Sequence, residues 1–467
     1  MSRKKFDLAI IGSGPGGYVA AIKAAGLGKK VALIEKGSLG GACLNVGCIP
    51  TKTLIANSQV LHKIQKADDY GIHVENISFD YKKMKERKDK VVSSICSSLE
   101  GLLKGHGVEI LRGKGEFLSP REIKISGEES QTIYASSSII ATGSNPLDIP
   151  AFPCDHKKIL DSTSILEMEA LPRSIAIIGG GYIGCEFASL YAALGVEVII
   201  LEALDSIVKA QGALIASTLT SSLKKQGIEI RTGVVVSGID AHKDGVTVKL
   251  QDSTNIKADI ALVSVGRKLC TDNLGLQKAG VKIEEKGFIN VNEKMETSVP
   301  GIYAIGDITA KAMLAHVASH QGIVAAINAC GGESRMHYHA VPAVIFTHPE
   351  IATVGMTEEE AKEAGYEIST GKFPFQALGK SQAIIETEGF AHVIADKKTG
   401  QVLGAQAIGH DASSLIAEMT LAINNELTLD CIIDTIHAHP TLPEAWLEAT
   451  LLAKGSPIHL PPKKRKT

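Results

Sequence analysis

The sequence predicts an α/β protein made of two similar, doubly wound units followed by a C-terminal α+β domain. Two observations predict it. A strand, glycine turn, helix and second strand occur in succession at 7–35 and again at 174–202. After residue 341 no such turn recurs, and strand-like runs such as HVIAD and VLGAQAIG precede amphipathic helical stretches. The length of 467 residues is too great for one core and suggests about three domains.

In the first unit a strand over Asp7–Ile11 leads into G-S-G-P-G-G, which places Gly12, Gly14 and Gly17 in the G-x-G-x-x-G pattern. Each glycine has its own reason. One permits the tight turn, one lets backbone approach a pyrophosphate, and one packs helix against strand. The helix start that follows offers free N–H groups and a positive dipole end to phosphates. KVALIE at 30–35 is the next strand, and Glu35 at its end can accept hydrogen bonds from a ribose 2′-hydroxyl.

SIAIIGGGYIGCEFASLYAALGVEVIILE repeats the unit, with Gly179, Gly181 and Gly184 after a strand and Glu202 closing the next one. The interval from first glycine to closing glutamate is 23 residues in both copies, 12 to 35 and 179 to 202. One such turn is weak evidence, but two at matched spacing predict two dinucleotide sites of Rossmann type. A 2′-phosphate would meet like charge at Glu202, so the second site should prefer NAD to NADP.

Between the copies, 81–105 carries Val91, Ile95, Leu99 and Leu102 at helical spacing, a stripe that reads as core packing. The lysine and arginine run in the same segment reads as a solvated face. The C-terminal domain, lacking a phosphate turn, is a candidate for subunit contact. The last residues, PPKKRKT, read as a solvated basic tail.

Bulk properties narrow the function. A net charge of −2 argues against nucleic acid as the main partner, and 4% aromatic residues with Trp446 as the sole tryptophan leave little for base stacking. No segment is apolar for long enough to span a bilayer, and the first hydrophobic run is too short for a secretion signal. Eight cysteines, mostly scattered singly, fit reduced thiols and the cytoplasm.

One cysteine pair stands apart. In GGACLNVGCIP, residues 40–50, Cys43 and Cys48 are five positions apart. No second Cys or His pair lies nearby to complete four metal ligands. As a staple so small a loop would contribute only about 2 kcal/mol. On an ideal helix the two positions lie roughly 8–9 Å apart, beyond the ~7 Å reach of a disulfide. The backbone must therefore distort, and Gly47 and Pro50 flank the place where it can. A strained pair at a helix start is easily reduced and its thiolates are stabilised by the dipole, which is the profile of a redox couple. Near the C-terminus, IHAHPTLPE at 436–444 sets His439 five residues before Glu444, so the carboxylate can fold back and orient the imidazole as a general base for a thiol.

GGACLNVGCIPTK with HAHPTLPE resembles the flavin disulfide reductase family. The resemblance covers essentially the whole chain, through IIATGS at 139–144, VSVGR at 263–267, GIYAIGD at 301–307 with MLAH after it, and FTHPE at 346–350. It implies an FAD-binding domain from residues 1–145 and 272–340, an NAD-binding domain at 146–271 and a dimerisation domain at 341–467. One non-covalent FAD per subunit would be held by Gly12, Gly14, Gly17, Glu35, Lys36, Lys52, Gly115, Thr142, Gly143 and Ser144, with Asp307, Met313, Leu314, Ala315 and His316 from the second segment. NAD would be held by Gly179, Gly181, Tyr182, Ile183, Gly184, Glu186, Glu202, Val236 and Gly266, with Glu186 also pairing Lys52. The resemblance makes Cys48 the thiol beside the flavin and Cys43 the one that exchanges with substrate. It brings His439, supported by Glu444, from the partner subunit of a homodimer. The implied substrate is a dihydrolipoyl group carried on the lipoyl domain of an acyltransferase or on a glycine-cleavage H-type protein, oxidised with NAD+. A glutathione-type reductase using NADPH and a non-catalytic flavoprotein scaffold are the competing readings.

The chain departs from the family pattern at Ala42, Thr51, Lys268-Leu269-Cys270 and Ala310-Lys311-Ala312, none of which removes a group from the relay. Cys96, Cys154, Cys185, Cys330 and Cys431 read as small buried hydrophobes.

Overall fold

The computed structural model describes residues 4–127 and 130–461; all of the basic tail except Pro461 lies outside them. A first sheet of seven strands runs in the order Glu109–Arg112, Val31–Glu35, Lys4–Ile11, Gln131–Ile140, Glu122–Ser126, Lys114–Ser119. Its seventh strand, Ile302–Ala304, arrives from much later in the chain and pairs parallel to Gln131–Ile140. The first strand begins at Lys4, three residues before the sequence expectation, because Lys4 and Lys5 pair with Ile133 and Tyr134 at an exposed end that no apolar pattern marks. Helix Pro15–Gly26 covers the sheet and packs against helix Ala315–Ala329. With helices on its face, the central strand is continuously apolar from Leu8 to Ile11 rather than alternating.

A second, five-stranded parallel sheet has the order Glu229–Thr232, Glu197–Glu202, Ser174–Ile178, Ile260–Val263, Ile159–Asp161, beside a three-stranded antiparallel sheet. The chain leaves the first unit along Ser144–Pro146 and comes back along Arg267–Leu269, and these two short strands pair antiparallel. The third sheet is antiparallel, with strands Ala343–Ile345, Glu350–Gly355, Val402–Gly409, Gly389–Asp396 and Ile368–Pro374. Helices Ala412–Asn424 and Glu444–Lys454 cover it. Between them Trp446 is fully buried and its indole N–H donates to the Leu415 carbonyl at 3.0 Å. Among the described residues no helix is long and apolar enough to cross a membrane.

Three expectations are corrected. In helix Tyr81–Gly105 the buried positions are Tyr81, Lys88, Leu99 and Leu103, while Leu102 is half exposed. Leu99 is buried and Ile95 packs partly buried against the core as expected, but the helix presents the i, i+4 pair Leu99–Leu103 inward, so the stripe ends on Leu103 rather than Leu102. The basic run is not wholly solvated: Lys88 is buried, its ammonium donating to the Leu166 carbonyl at 2.9 Å and pairing with Asp89 and Glu167. A buried lysine is tolerated because every donor has a partner. Of the five scattered cysteines only Cys185 is fully buried. Cys96, Cys154 and Cys330 are half-buried and Cys431 is exposed, since Cys431 falls on the outer face of the short helix Leu429–Asp434.

Ala310, one of the departures, closes the turn after Gly306–Thr309 with φ +52° and an exposed side chain. L-residues are strained in that left-handed conformation and glycine is not. Ala310→Gly should therefore stabilise the fold by about 0.5–1 kcal/mol, read as a higher denaturation midpoint; a lower midpoint would contradict the strain.

Candidate active site

The glycine turns come first, because they set where everything else can sit. At Gly12, φ is +101°, and a Cβ at Gly17 would collide with the Gly12 carbonyl oxygen, so helix Pro15–Gly26 starts in direct contact with the strand end. A Cβ at Gly14 would meet nothing within 4 Å, which leaves open room at the helix start, and the first turn carries no acidic side chain. Glu35 braces the turn: the Ser13 N–H and hydroxyl donate to Oε2 at 2.9 and 2.7 Å, and the Gly37 N–H donates to Oε1 at 2.8 Å.

The second turn is built alike. Gly179 has φ +102°, a Cβ at Gly184 would collide with the Gly179 carbonyl oxygen, and Gly181 has nothing within 4 Å. Glu202 takes the Gly180 N–H on Oε2 at 2.6 Å and the Leu204 N–H on Oε1 at 2.7 Å.

The dithiol lies between these units. Helix Gly41–Val46 carries Cys43 and stops at Gly47, whose φ of −147° and ψ of −108° are not helical; a new helix, Cys48–Gln65, starts at the second cysteine. The break abolishes the ideal five-residue helical spacing and lets the two free thiols influence one another. The influence is unequal. Cys43 is held well above an ordinary thiol, by Cys48 and by burial. Cys48 is brought down to about 7, chiefly by Cys43, then by the Lys52 ammonium, against the cost of burial.

Lys52 stands one helical turn on from Cys48 and pairs with Glu186 at 2.7 Å; the Glu186 side chain is 4% exposed. Glu186 belongs to helix Tyr182–Ala193 of the second unit, and its other oxygen accepts the Phe346 N–H at 2.9 Å from the third. On the opposite side of the site, the Arg267 guanidinium donates to the Ser144 hydroxyl and carbonyl at 2.7 and 2.8 Å, and the Ser144 hydroxyl donates to Asp307.

A cavity of about 400 Å³ joins these groups. It is lined by Gly12, Gly14, Glu35, Lys36, Cys43, Cys48, Lys52, Gly115, Thr142, Gly143, Ser144, Tyr182, Ile183, Glu186, Asp307, Met313 and Ala315 among the residues expected from the sequence. Gly17 sits behind the lining, in the contact just described. Leu314 and His316 are not brought to the lining either, the His316 Nε2 lying 2.8 Å from the Pro342 carbonyl. Gly179, Gly181, Gly184 and Glu202 form the second turn away from this cavity; Val236 opens a strand of the three-stranded sheet, and Gly266 turns the chain before Arg267. Arg267 lines the cavity and is not among the residues expected from the sequence, although it ends the motif VSVGR.

His439 and Glu444 lie outside this cavity. The His439 Nδ1 is 2.8 Å from Glu444 Oε1, while Oε2 accepts the Thr441 N–H at 2.8 Å. Burial would raise the Glu444 carboxyl, but the Thr441 N–H and the ring outweigh it and hold it below its ordinary value. The His439 side chain is 76% exposed, whereas the neighbouring His437 is tied to Glu418 at 2.9 Å.

Fold and site together define a protein that places a pair of free thiols between two dinucleotide-type turns. Residues 6–322 match the family described as Pyridine nucleotide-disulphide oxidoreductase, and residues 341–450 match the dimerisation domain of the same family. The chain is 49% identical over 460 residues to the dihydrolipoyl dehydrogenase of Chlamydia pneumoniae, covering 98% of this chain and 99% of that one. It is 44% identical to the dihydrolipoyl dehydrogenase of Geobacillus stearothermophilus, with 97% of each chain covered. Among solved structures, LpdA from Mycobacterium tuberculosis superposes with a TM-score of 0.91 at 27% identity over 96% of this chain and 99% of that one. The HOCl-induced flavoprotein disulfide reductase RclA of Escherichia coli gives 0.86 at 29% over 96% and 99%. The chain thus belongs to the pyridine nucleotide-disulphide oxidoreductase family and is an oxidoreductase. FAD and a pyridine nucleotide are the cofactors of this family, and the open space at Gly14 and Gly181, each at a helix start free of acidic residues, fits a pyrophosphate at both turns.

The Lys52 charge sets one expectation. In Lys52→Met the favourable charge beside Cys48 is lost, so the thiolate should form at higher pH. The titration midpoint of about 7, followed by thiolate absorbance or by site-resolved alkylation, is expected to rise by roughly one unit. An unmoved midpoint would show that Lys52 does not stabilise the thiolate.

Proposed function

We propose that the chain, as a homodimer, oxidises dihydrolipoyl groups to the cyclic disulfide and reduces NAD+. One observation carries the reading: two free cysteines, set on either side of a helix break at Gly47, both line a cavity that also reaches the first glycine turn. The name borne by relatives at 49% and 44% identity supports the same substrate class.

In this reading the FAD domain comprises residues 1–145 and 272–340, the NAD domain 146–271 and the dimerisation domain 341–467. Gly12, Gly14, Gly17, Glu35, Lys36, Gly115 and Thr142–Ser144 hold FAD with Asp307, Met313, Leu314, Ala315 and His316. Gly179, Gly181–Gly184, Glu202, Val236 and Gly266 hold NAD. When bound, FAD supplies the two-electron chemistry that links thiol oxidation to nicotinamide reduction.

The protein's own residues do the rest. Glu444 keeps the proton on His439 Nδ1, so Nε2 is free to take a proton from a substrate thiol. The resulting thiolate attacks Cys43 Sγ of the oxidised pair, the Cys43–Cys48 bond breaks, and Cys48 leaves as a thiolate stabilised by Lys52. The second substrate thiol loses its proton to solvent, and its sulfur attacks the sulfur bound to Cys43, forming the substrate disulfide and releasing the Cys43 thiolate, which takes the proton held on His439. The substrate has lost two electrons and the cysteine pair has gained them, with Cys43 left as thiol and Cys48 as thiolate. Because His439 is exposed and outside the cavity of its own chain, it serves the dithiol of the partner. Glu202 directs the choice of NAD+, since EALDSIVKA offers no arginine for a 2′-phosphate. The partners are lipoyl domains of acyltransferases or glycine-cleavage H-type proteins, and the compartment is the cytoplasm.

Dihydrolipoamide with NAD+ should turn over, whereas glutathione disulfide with NADPH should not; the reverse pattern refutes the substrate assignment. His439→Gln should lower the rate by about 10²–10⁴-fold, and Glu444→Gln by less, because it leaves the base in place but loosens its tautomer. Cys43→Ser and His439→Gln chains, each severely impaired alone, should recover activity when co-expressed, as one site in each mixed dimer is then complete. No recovery would place both residues in a single chain's site.

A further inference from the structure

The dithiol side of the site contains a group that no role above uses. Phe346, directly after the first strand of the C-terminal domain, Ala343–Ile345, places its ring 4.6 Å from the Lys52 ammonium, measured to the ring centroid. Its N–H donates to Glu186 at 2.9 Å, so a single residue touches both partners of the 2.7 Å ion pair beside the dithiol. The ring is not free to drift. The next residues are fixed by the His348 N–H to Ser189 Oγ bond at 2.9 Å, by Gln226 donating to the His348 carbonyl at 2.6 Å, and by the His348 ring lying 4.5 Å from that of His62. Ser189 lies on the helix of Glu186, and His62 on the helix of Lys52 and Cys48, so the loop is anchored to both helices that carry the pair.

A lysine side chain has four rotatable bonds and is strongly hydrated, so an ion pair alone fixes its charge poorly. An aromatic face restricts where that charge can rest, and more so when the pair is largely out of water. We propose that Phe346 is a positioning residue: its ring and N–H hold the Lys52–Glu186 pair in register with Cys48, so that the domain built for subunit contact sets the charge felt by the thiol chemistry. The inference rests on the proposed role of Cys48 as the ionised thiol.

The test uses the purified flavin-bound protein, reduced anaerobically. The ionisation of Cys48 is followed against pH by the long-wavelength thiolate-to-flavin absorption and, separately, by peptide-resolved alkylation with iodoacetamide. Phe346→Leu and Phe346→Met keep the N–H and the apolar bulk and remove the ring. Both should raise the Cys48 midpoint by roughly half a unit, so that alkylation of Cys48 below the midpoint slows about threefold. Phe346→Tyr, which keeps the ring, should restore the original midpoint. In a Lys52→Met background the same Phe346 changes should do nothing further. An unmoved midpoint in both ring-less variants, a failure of Tyr to restore it, or a full additional shift without Lys52 would each overturn the proposal. The alkylation readout needs no lipoyl substrate, so a protein that failed to oxidise dihydrolipoamide would still reveal whether Phe346 sets the Cys48 midpoint.

Discussion

The Lys52–Glu186 ion pair is the contact on which the rest of the site depends. Its lysine comes from the helix that begins at Cys48, its glutamate from the second dinucleotide unit, and its remaining acceptor is filled by the third domain. An ion pair with one partner so deeply buried costs desolvation on both sides and adds little net stability. Its value is positional. Three layers of the fold are registered on one charge, and that charge lies one helical turn from Cys48.

Two glycine turns, built alike and braced alike, explain how a single chain handles two nucleotides. In each, a glutamate at the end of the neighbouring strand reaches back to an N–H of the turn, Ser13 in one and Gly180 in the other. The carboxylate thus shapes the turn itself. Changing either glutamate to alter specificity would also unbrace the loop.

Much of this was legible in the sequence because the constraints are local. Gly17 is dictated by its contact with the Gly12 carbonyl five residues earlier and Gly12 by its own positive φ, and the Cys43–Cys48 step conflicts with helix geometry on paper as it does in space. The His439–Glu444 pairing also spans only five positions. What escaped the sequence acts across long separations. Lys88 is buried because Leu166 and Glu167, 78 and 79 residues away, accept from it, and nothing near Lys88 signals that. Arg267 clamps Ser144 across 123 residues, and Phe346 meets Glu186 across 160. A motif can flag such residues, as VSVGR and FTHPE do here, without saying what they touch. Leu102 and Leu103 show a subtler limit: adjacent leucines carry the same apolar signal, and only the packing partner decides which turns inward.

Trp446 gives the molecule an optical consequence. It is the sole tryptophan, fully enclosed between the two helices that cover the third sheet, and far in sequence from both glycine turns. The wavelength of its ultraviolet emission therefore reports on the packing of the C-terminal layer, while the visible absorbance of a flavin reports on the first. Melting followed at the two wavelengths separates loosening of the subunit-contact layer from release of the cofactor, so the order in which the assembly comes apart can be read without introducing a label.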